Sequence, residues 1–205
     1  GGTYTDAVLV EYETNKVLAA SKAFTTKQDL SIGIRKAIDR VLALCPADVR
    51  MVSLSTTLAT NAIVEGNGAP ICALLIGYPD HLQHSPDLDQ QLGTSRYAFI
   101  SGGHTTTGEE QQPLDLQAAR QAILQNAPYV EAFAVSGYFG TRNPEHEIVL
   151  KALVQELTGK PVTCGSELTH RLDALRRATT VSLNARLIPL LRDLIDAVEA
   201  TMAER

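Results

Sequence analysis

Ile71-Cys72-Ala73-Leu74-Leu75-Ile76 is an unbroken apolar run. It has no polar positions at alternate residues, so neither face of a strand here would meet water. Such a run suits a parallel strand covered on both sides. Working downstream, the polar segment from Tyr78 to Thr94 carries Pro79 and Pro86 and reads as a loop with room for a short helix. Arg96–Ser101 reads as the next strand, which Gly102-Gly103-His104 leaves abruptly. Asp115 caps a helix to about Gln125, and Val130–Ser136 is again a strand. Pro144 stands at a helix start, its favoured place, and that helix runs to about Leu157. Pro161–Cys164 is a short last strand. From about Leu172 the chain is helical, with Leu183, Leu187, Leu190, Leu191, Leu194 and Val198 as its apolar stripe. Pro189 is expected to kink that helix or split it.

Upstream of the run, Asn67-Gly68 gives a turn, and Thr56–Glu65 reads as a helix stopped by Gly66. Val49–Ser55 reads as a strand. Before it, Leu30, Ile34, Ala37, Ile38, Val41 and Leu42 recur at helical spacing. Thr26 with Asp29 resembles a capping box at the start of this helix, and Pro46 ends it. Ala7–Glu11 and Lys16–Phe24 read as a hairpin around Glu13-Thr14-Asn15. A hairpin followed by alternating helices and strands predicts an α/β protein with a largely parallel sheet flanked by helices.

The 205 residues are 44% apolar, enough for a sizeable core, and carry a formal net charge of −5. No basic stripe stands out, which argues against nucleic acid as a partner. No apolar run is long enough to cross a bilayer, so a membrane is not an expected partner. Cys45, Cys72 and Cys164 form no Cys-x-x-Cys pair and read as reduced thiols of a cytoplasmic protein. The chain opens in a turn and stops in helix-forming residues. An upstream strand and a downstream body are therefore expected.

Four segments beside strands carry candidate chemistry. In Gly1-Gly2-Thr3-Tyr4-Thr5-Asp6, the glycines allow close backbone approach and the N–H groups of such a turn can cradle an anion. Asp6 could hold magnesium through water. An ordinary hairpin turn explains the same residues. In Ser55-Thr56-Thr57-Leu58-Ala59-Thr60-Asn61-Ala62, hydroxyls stand where a strand feeds a helix, which suits a phosphate or a simple N-cap. Ser101-Gly102-Gly103-His104 places an imidazole at a strand end, as a proton carrier or a plain turn residue. The string from Ser136 to Glu147 also follows a strand. There Arg142 and His146 could face a ligand, or Asn143 and Pro144 could simply cap the helix. Three of the four segments follow a strand's carboxyl end, where open α/β sheets bind ligands.

Together these strings resemble the hydantoinase/oxoprolinase family of ATP-dependent subunits, whose relatives include acetone and acetophenone carboxylases. Gly1–Val8 is similar to the family's N-terminal signature and Ser55–Gly66 to its most recognisable internal motif, where many members carry Gly at the place of Ser55. Gly102-Gly103-His104 and Arg142–Glu147 resemble one subgroup. Arg177–Ala185 resembles the start of the central domain, which puts the N-terminal domain at 1–165 and that start at 166–205. The resemblance implies an actin-like, ribonuclease H-like ATPase lobe, with a second lobe beyond Arg205 completing the nucleotide site. It implies ATP and Mg as cofactors, a cyclic amide such as a hydantoin or 5-oxoproline as substrate, and the rest of its own chain with a partner subunit as companions. Carried over residue by residue, Gly1, Gly2, Thr3 and Thr5 become phosphate contacts and Asp6 a metal and catalytic residue. Thr56, Thr57 and Asn61 become ligand-site residues. His104, Arg142 and His146 are placed as catalytic by position alone. The family's upstream Asp has no counterpart here, and the chain alone is expected to turn over little. A regulatory nucleotide-binding module, a small-molecule kinase and a carboxylase-type subunit stay open as alternatives.

Overall fold

The computed structural model describes residues 3–26, 29–66 and 68–203. Gly1, Gly2 and the Asn67 half of the expected Asn67-Gly68 turn lie outside the described residues. By compactness the chain divides into two units: Gly1–Asn67 with Leu190–Arg205, and Gly68–Pro189.

In the first unit, β1 (Tyr4–Glu11) and β2 (Lys16–Phe24) pair antiparallel, and Asn15 takes a left-handed φ of 55° in the turn between them. Asn tolerates that conformation better than most residues. Helix α1 (Leu30–Leu44) packs on the hairpin through Ile34, Ala37 and Val41. Ser21 Oγ donates to the Ala37 carbonyl at 2.5 Å, and Arg40 donates to the Lys22 carbonyl at 2.7 Å. The N-cap of α1 is Asp29, which accepts from the Ser31 N–H, rather than Thr26. Helix α2 spans Leu58–Val64.

The strand expected at Val49–Ser55 does not form. Its apolar residues suit a strand, but no strand among the described residues offers it a ladder, and an unpaired strand is not stable alone. Met51, Val52 and Leu54 are exposed as a result.

The second unit opens on β3 (Ile71–Ile76), which lies where the apolar run predicts. The following loop holds two short helices, α3 (Asp80–Gln83) and α4 (Leu88–Leu92). Then come β4 (Tyr97–Ile100), β5 (Gly103–His104) and β6 (Glu110–Gln112). Next are α5 (Leu116–Asn126), β7 (Ala132–Gly137), α6 (Glu145–Thr158), β8 (Val162–Cys164) and α7 (Gly165–Leu168). Helix α8 (Ala174–Ala203) runs unbroken with Pro189 inside it, so the chain is not split into two helices there. Strands β4, β3, β7 and β8 form one sheet in that order, all parallel.

Both faces of this sheet are covered, and the two-residue period shows it. Cys72, Leu74, Ile76, Phe133 and Val135 pack against Ala119 and Ile123 of α5 and Leu150 and Val154 of α6. The intervening Ile71, Ala73, Leu75, Ala132 and Ala134 pack against Leu88 and Leu92 of α4 and Ala174, Ala178, Val181 and Ala185 of α8. Each large apolar side chain buried this way contributes about 1.5–3 kcal/mol. The small residues of α8 replace the predicted leucine stripe in this contact, because alanines let the helix lie close to the sheet. Leu183 and Leu187 are only half-buried. Burial also pushes the Cys72 and Cys164 thiols up to about 12, so both are inert core residues rather than nucleophiles.

Candidate functional site

From β3 the chain runs to β4 on one side, then crosses to β7 on the other. The point where the order reverses lies between β3 and β7. Loops leaving the carboxyl ends of β3, β4 and β7 line a cavity of about 520 Å³ there. This is where open parallel sheets hold ligands. Gly77 follows β3 with φ +67°, and a Cβ on it would come within 2.6 Å of the Gly102 carbonyl oxygen. Only glycine lets these two strand ends approach so closely.

One wall of the cavity is aromatic. Tyr78 stands edge-on to Tyr138 at 5.7 Å and 6.4 Å from Phe99, and Tyr138 is 4.7 Å from Phe139. The Tyr78 hydroxyl is satisfied by Ser136 Oγ and the Ala174 carbonyl, each at 2.9 Å, and burial holds its pKa far above the usual tyrosine value. It is an anchor rather than an acid. Gln83 donates its amide to the Tyr78 carbonyl at 2.7 Å.

His104 and His146, widely separated in sequence, meet here with ring centroids 4.3 Å apart. His146 Nδ1 accepts from the Gly103 N–H at 3.1 Å, so the ring proton sits on Nε2, which faces Glu110 Oε1 at 3.0 Å. That fixes ring and tautomer together. His104 is buried, and its Nε2 has no hydrogen-bond partner among the described residues. Burial, then the neighbouring His146, hold its pKa below the ordinary 6.5, against opposing pulls from Glu145 and Glu110. His104 is therefore neutral at pH 7. Between its folded pKa and 6.5 the unfolded chain binds the proton that the folded chain refuses. The stabilisation is full above about 6.5 and is lost as pH falls through that window. Urea midpoints measured from pH 7.5 to pH 5 should fall for the wild type, and fall less for His104→Gln.

Arg142 is exposed and does not line the cavity. Its neighbour Asn143 ties the Gly108 carbonyl at 3.0 Å and caps the Glu145 N–H at 2.9 Å, with Pro144 at the N-cap of α6.

Sequence reasoning missed the residues that hold this site in shape. Glu147, 1% exposed, accepts from the Gly137 N–H at 2.7 Å, the Ser166 N–H at 2.8 Å and the Ser166 hydroxyl at 2.7 Å. A Cβ on Gly140 would meet Glu147 Oε1 at 2.2 Å, so glycine is required beside this carboxylate. Arg177, equally buried, donates to the Gly137 and Tyr138 carbonyls at 3.0 and 2.6 Å and to the Arg171 carbonyl at 2.6 Å. Gly137 is thus held at its N–H by a buried anion and at its carbonyl by a buried cation. This clamp sets the turn that carries Tyr138 and Phe139 into the cavity wall.

The other sequence candidates lie in the first unit. Thr5 Oγ1 shares a 3.0 Å hydrogen bond with Thr25 Oγ1 across the hairpin. Asp6 pairs with Lys22 at 3.2 Å, both exposed, and Lys22 lies over the Tyr4 ring. Lys22 is a cation beside the predicted phosphate turn that the sequence did not single out. Thr3 is exposed. Thr56 Oγ1 accepts from the Leu58 N–H at 3.0 Å, and Asn61 lies 3.4 Å from Thr57 Oγ1. Both threonines are exposed. Among the described residues no three His, Cys, Asp or Glu side chains gather as a metal site, and no helix is long and apolar enough to cross a membrane.

The sequence model of the hydantoinase/oxoprolinase N-terminal region matches residues 1–158. The chain belongs to this family. The chain is similar to the caprolactamase alpha subunit of Pseudomonas jessenii, 29% identical over 228 aligned residues that cover 100% of this chain and 32% of that protein. The crystal structure of the ATP-dependent caprolactamase from Pseudomonas jessenii superposes with a TM-score of 0.75 at 26% identity, over 100% of this chain and 33% of that one. Nucleotide-free acetone carboxylase, described as ATP-dependent, shares the fold with a TM-score of 0.68 at 20% identity, over 99% of this chain and 33% of its own. The chain thus spans about a third of the length of these relatives.

Proposed function

We propose that this chain is the N-terminal portion of an ATP-dependent cyclic amidohydrolase subunit in the cytoplasm, opening a hydantoin-, lactam- or oxoproline-type ring. The observation that carries this reading is the likeness to the caprolactamase alpha subunit along the whole chain. The reading assigns residues 1–165 to the family's N-terminal region, an actin-like lobe, and 166–205 to the region that follows. A subunit so named also favours a partner subunit for this chain.

The first hairpin would receive the nucleotide. Gly1, Gly2, Thr3 and Thr5 would face its phosphates, with Thr56, Thr57 and Asn61 as further ligand contacts. Asp6 fits magnesium: the ion keeps several waters and needs only one or two carboxylates besides the nucleotide phosphates. Lys22, already against Asp6, supplies a second charge suited to phosphate. ATP held there would supply the activation that a poor electrophile needs, since an amide oxygen that carries phosphate is a far better leaving group when water opens the ring. Positioning and charge stabilisation are what the protein adds to such a step. His104 would act at the amide as a proton-handling group, His146 would serve catalysis from behind it by holding that ring, and Arg142 would attract an anion from the surface.

A product analysis on the intact protein with ATP, magnesium and hydantoin or a lactam decides the reaction class. An open-chain acid with stoichiometric inorganic phosphate is expected. A stable phosphorylated product would make the protein a kinase, and bicarbonate-dependent carboxylation would make it carboxylase-type. Nucleotide binding without turnover in the presence of its partner subunit would leave a regulatory module.

A further inference from the structure

We propose that the cavity between β3 and β7 binds small uncharged ring amides and rejects rings that carry a carboxylate. This rests on the cyclic-amide reading above and narrows it, since hydantoins and simple lactams are neutral whereas 5-oxoproline is an anion.

The composition of the wall carries the argument. No lysine or arginine lines the cavity among the described residues, and the one charged side chain on its wall is Asp80. A carboxylate entering here would lose hydration without a counter-charge and would meet an acidic neighbour. A neutral planar ring meets the opposite situation. It can lie against the cluster of Tyr78, Phe99 and Tyr138, in which Tyr138 stands edge-on to Tyr78 and Phe99 is tilted against it. Its amide edge can be read by the carboxamides of Gln111 and Gln112, which donate and accept. Gln83 spends its amide N–H on the Tyr78 carbonyl and so keeps its oxygen as an acceptor. His104 is the polar group that points to a ligand most strongly: it lines the cavity, it is more than nine-tenths buried, and its Nε2 has no partner among the described residues. Buried polar atoms are nearly always paired, so an orphan on a residue that lines the cavity marks a place for a bound group. His146, locked by Gly103 and Glu110, holds the His104 ring from behind. The cavity's size, about 520 Å³, suits a small ligand.

Three probes separate charge from size: 2-pyrrolidinone, 5-oxoprolinamide and 5-oxoproline. Dissociation constants for the whole chain without nucleotide should show the two neutral rings binding and 5-oxoproline at least about ten-fold weaker than its amide. Asp80→Asn should narrow that gap. His104→Gln should weaken both neutral rings while the circular dichroism spectrum stays unchanged. Backbone amide shifts in the wild type give a readout free of any folding defect, and they should move at Gly77, Gly102 and Gly103. Equal affinity for 5-oxoproline and its amide, shifts confined elsewhere, or no binding of any ring would overturn the proposal. Neutral rings bound without ATP-dependent ring opening would leave this site standing and remove the amidohydrolase reading. Ring opening without charge discrimination would do the reverse.

Discussion

Glu147→Ala is expected to destabilise the second unit by about 3–5 kcal/mol, the range found when one partner of a buried charged network is removed. The side chain is 1% exposed and satisfies three donors, the Gly137 and Ser166 N–H groups and the Ser166 hydroxyl. Truncation leaves all three unpaired in the buried interior, and it removes one of the two charged groups that clamp Gly137. For a chain of this size the loss corresponds to a fall of roughly 10 °C or more in Tm. Glu147→Gln keeps the shape and one acceptor and should recover part of it. Thermal melts followed at the tyrosine signal read the effect. A change under about 1 kcal/mol would mean that the Gly137 clamp contributes little.

Asp6→Asn is the second large effect, and it falls on chemistry rather than stability. Asp6 sits on an exposed hairpin edge, paired with Lys22, so the fold should tolerate the change. On the proposed reading, Asp6 would support charge at the transferring phosphate of the intact protein, and losing such a group typically reduces turnover by about 10²–10³-fold. Lys22→Ala should lower turnover in the same direction while leaving the melt unchanged. A normal rate in Asp6→Asn would move the metal and phosphate roles away from this hairpin.

Much of the fold was legible because its signals are local. The run Ile71–Ile76 needed no tertiary information to read as a doubly covered strand, and Lys16–Phe24 matched the second hairpin strand in both bounds. Val49–Ser55 failed for a reason local pattern cannot supply: a strand needs a neighbour, and none is present among the described residues. The apolar stripe predicted for α8 holds at Val198, which is buried, but its leucines do not make the sheet contact. Periodicity shows that a helix has an apolar side, but the sheet chose its alanines because close approach mattered more than side-chain size.

The site was legible only as a set of places. His104 and His146 were each singled out at a strand end, yet nothing in their spacing says that the rings meet, or that Glu110 on the two-residue β5–β6 ladder fixes one of them. Glu147 stood inside a quoted string without its function showing, since a buried carboxylate and an exposed one look alike in sequence. Arg177 was visible only as a family string. Lys22 reads as an ordinary strand lysine until the hairpin register sets it opposite Asp6.

The most direct test is a calorimetric titration of the intact protein with ATP and magnesium, wild type beside Asp6→Asn. Saturable binding by the wild type, lost or weakened at least about ten-fold in the variant, is the predicted result. No binding by the wild type, or equal binding by both proteins, would contradict a nucleotide site built on the first hairpin.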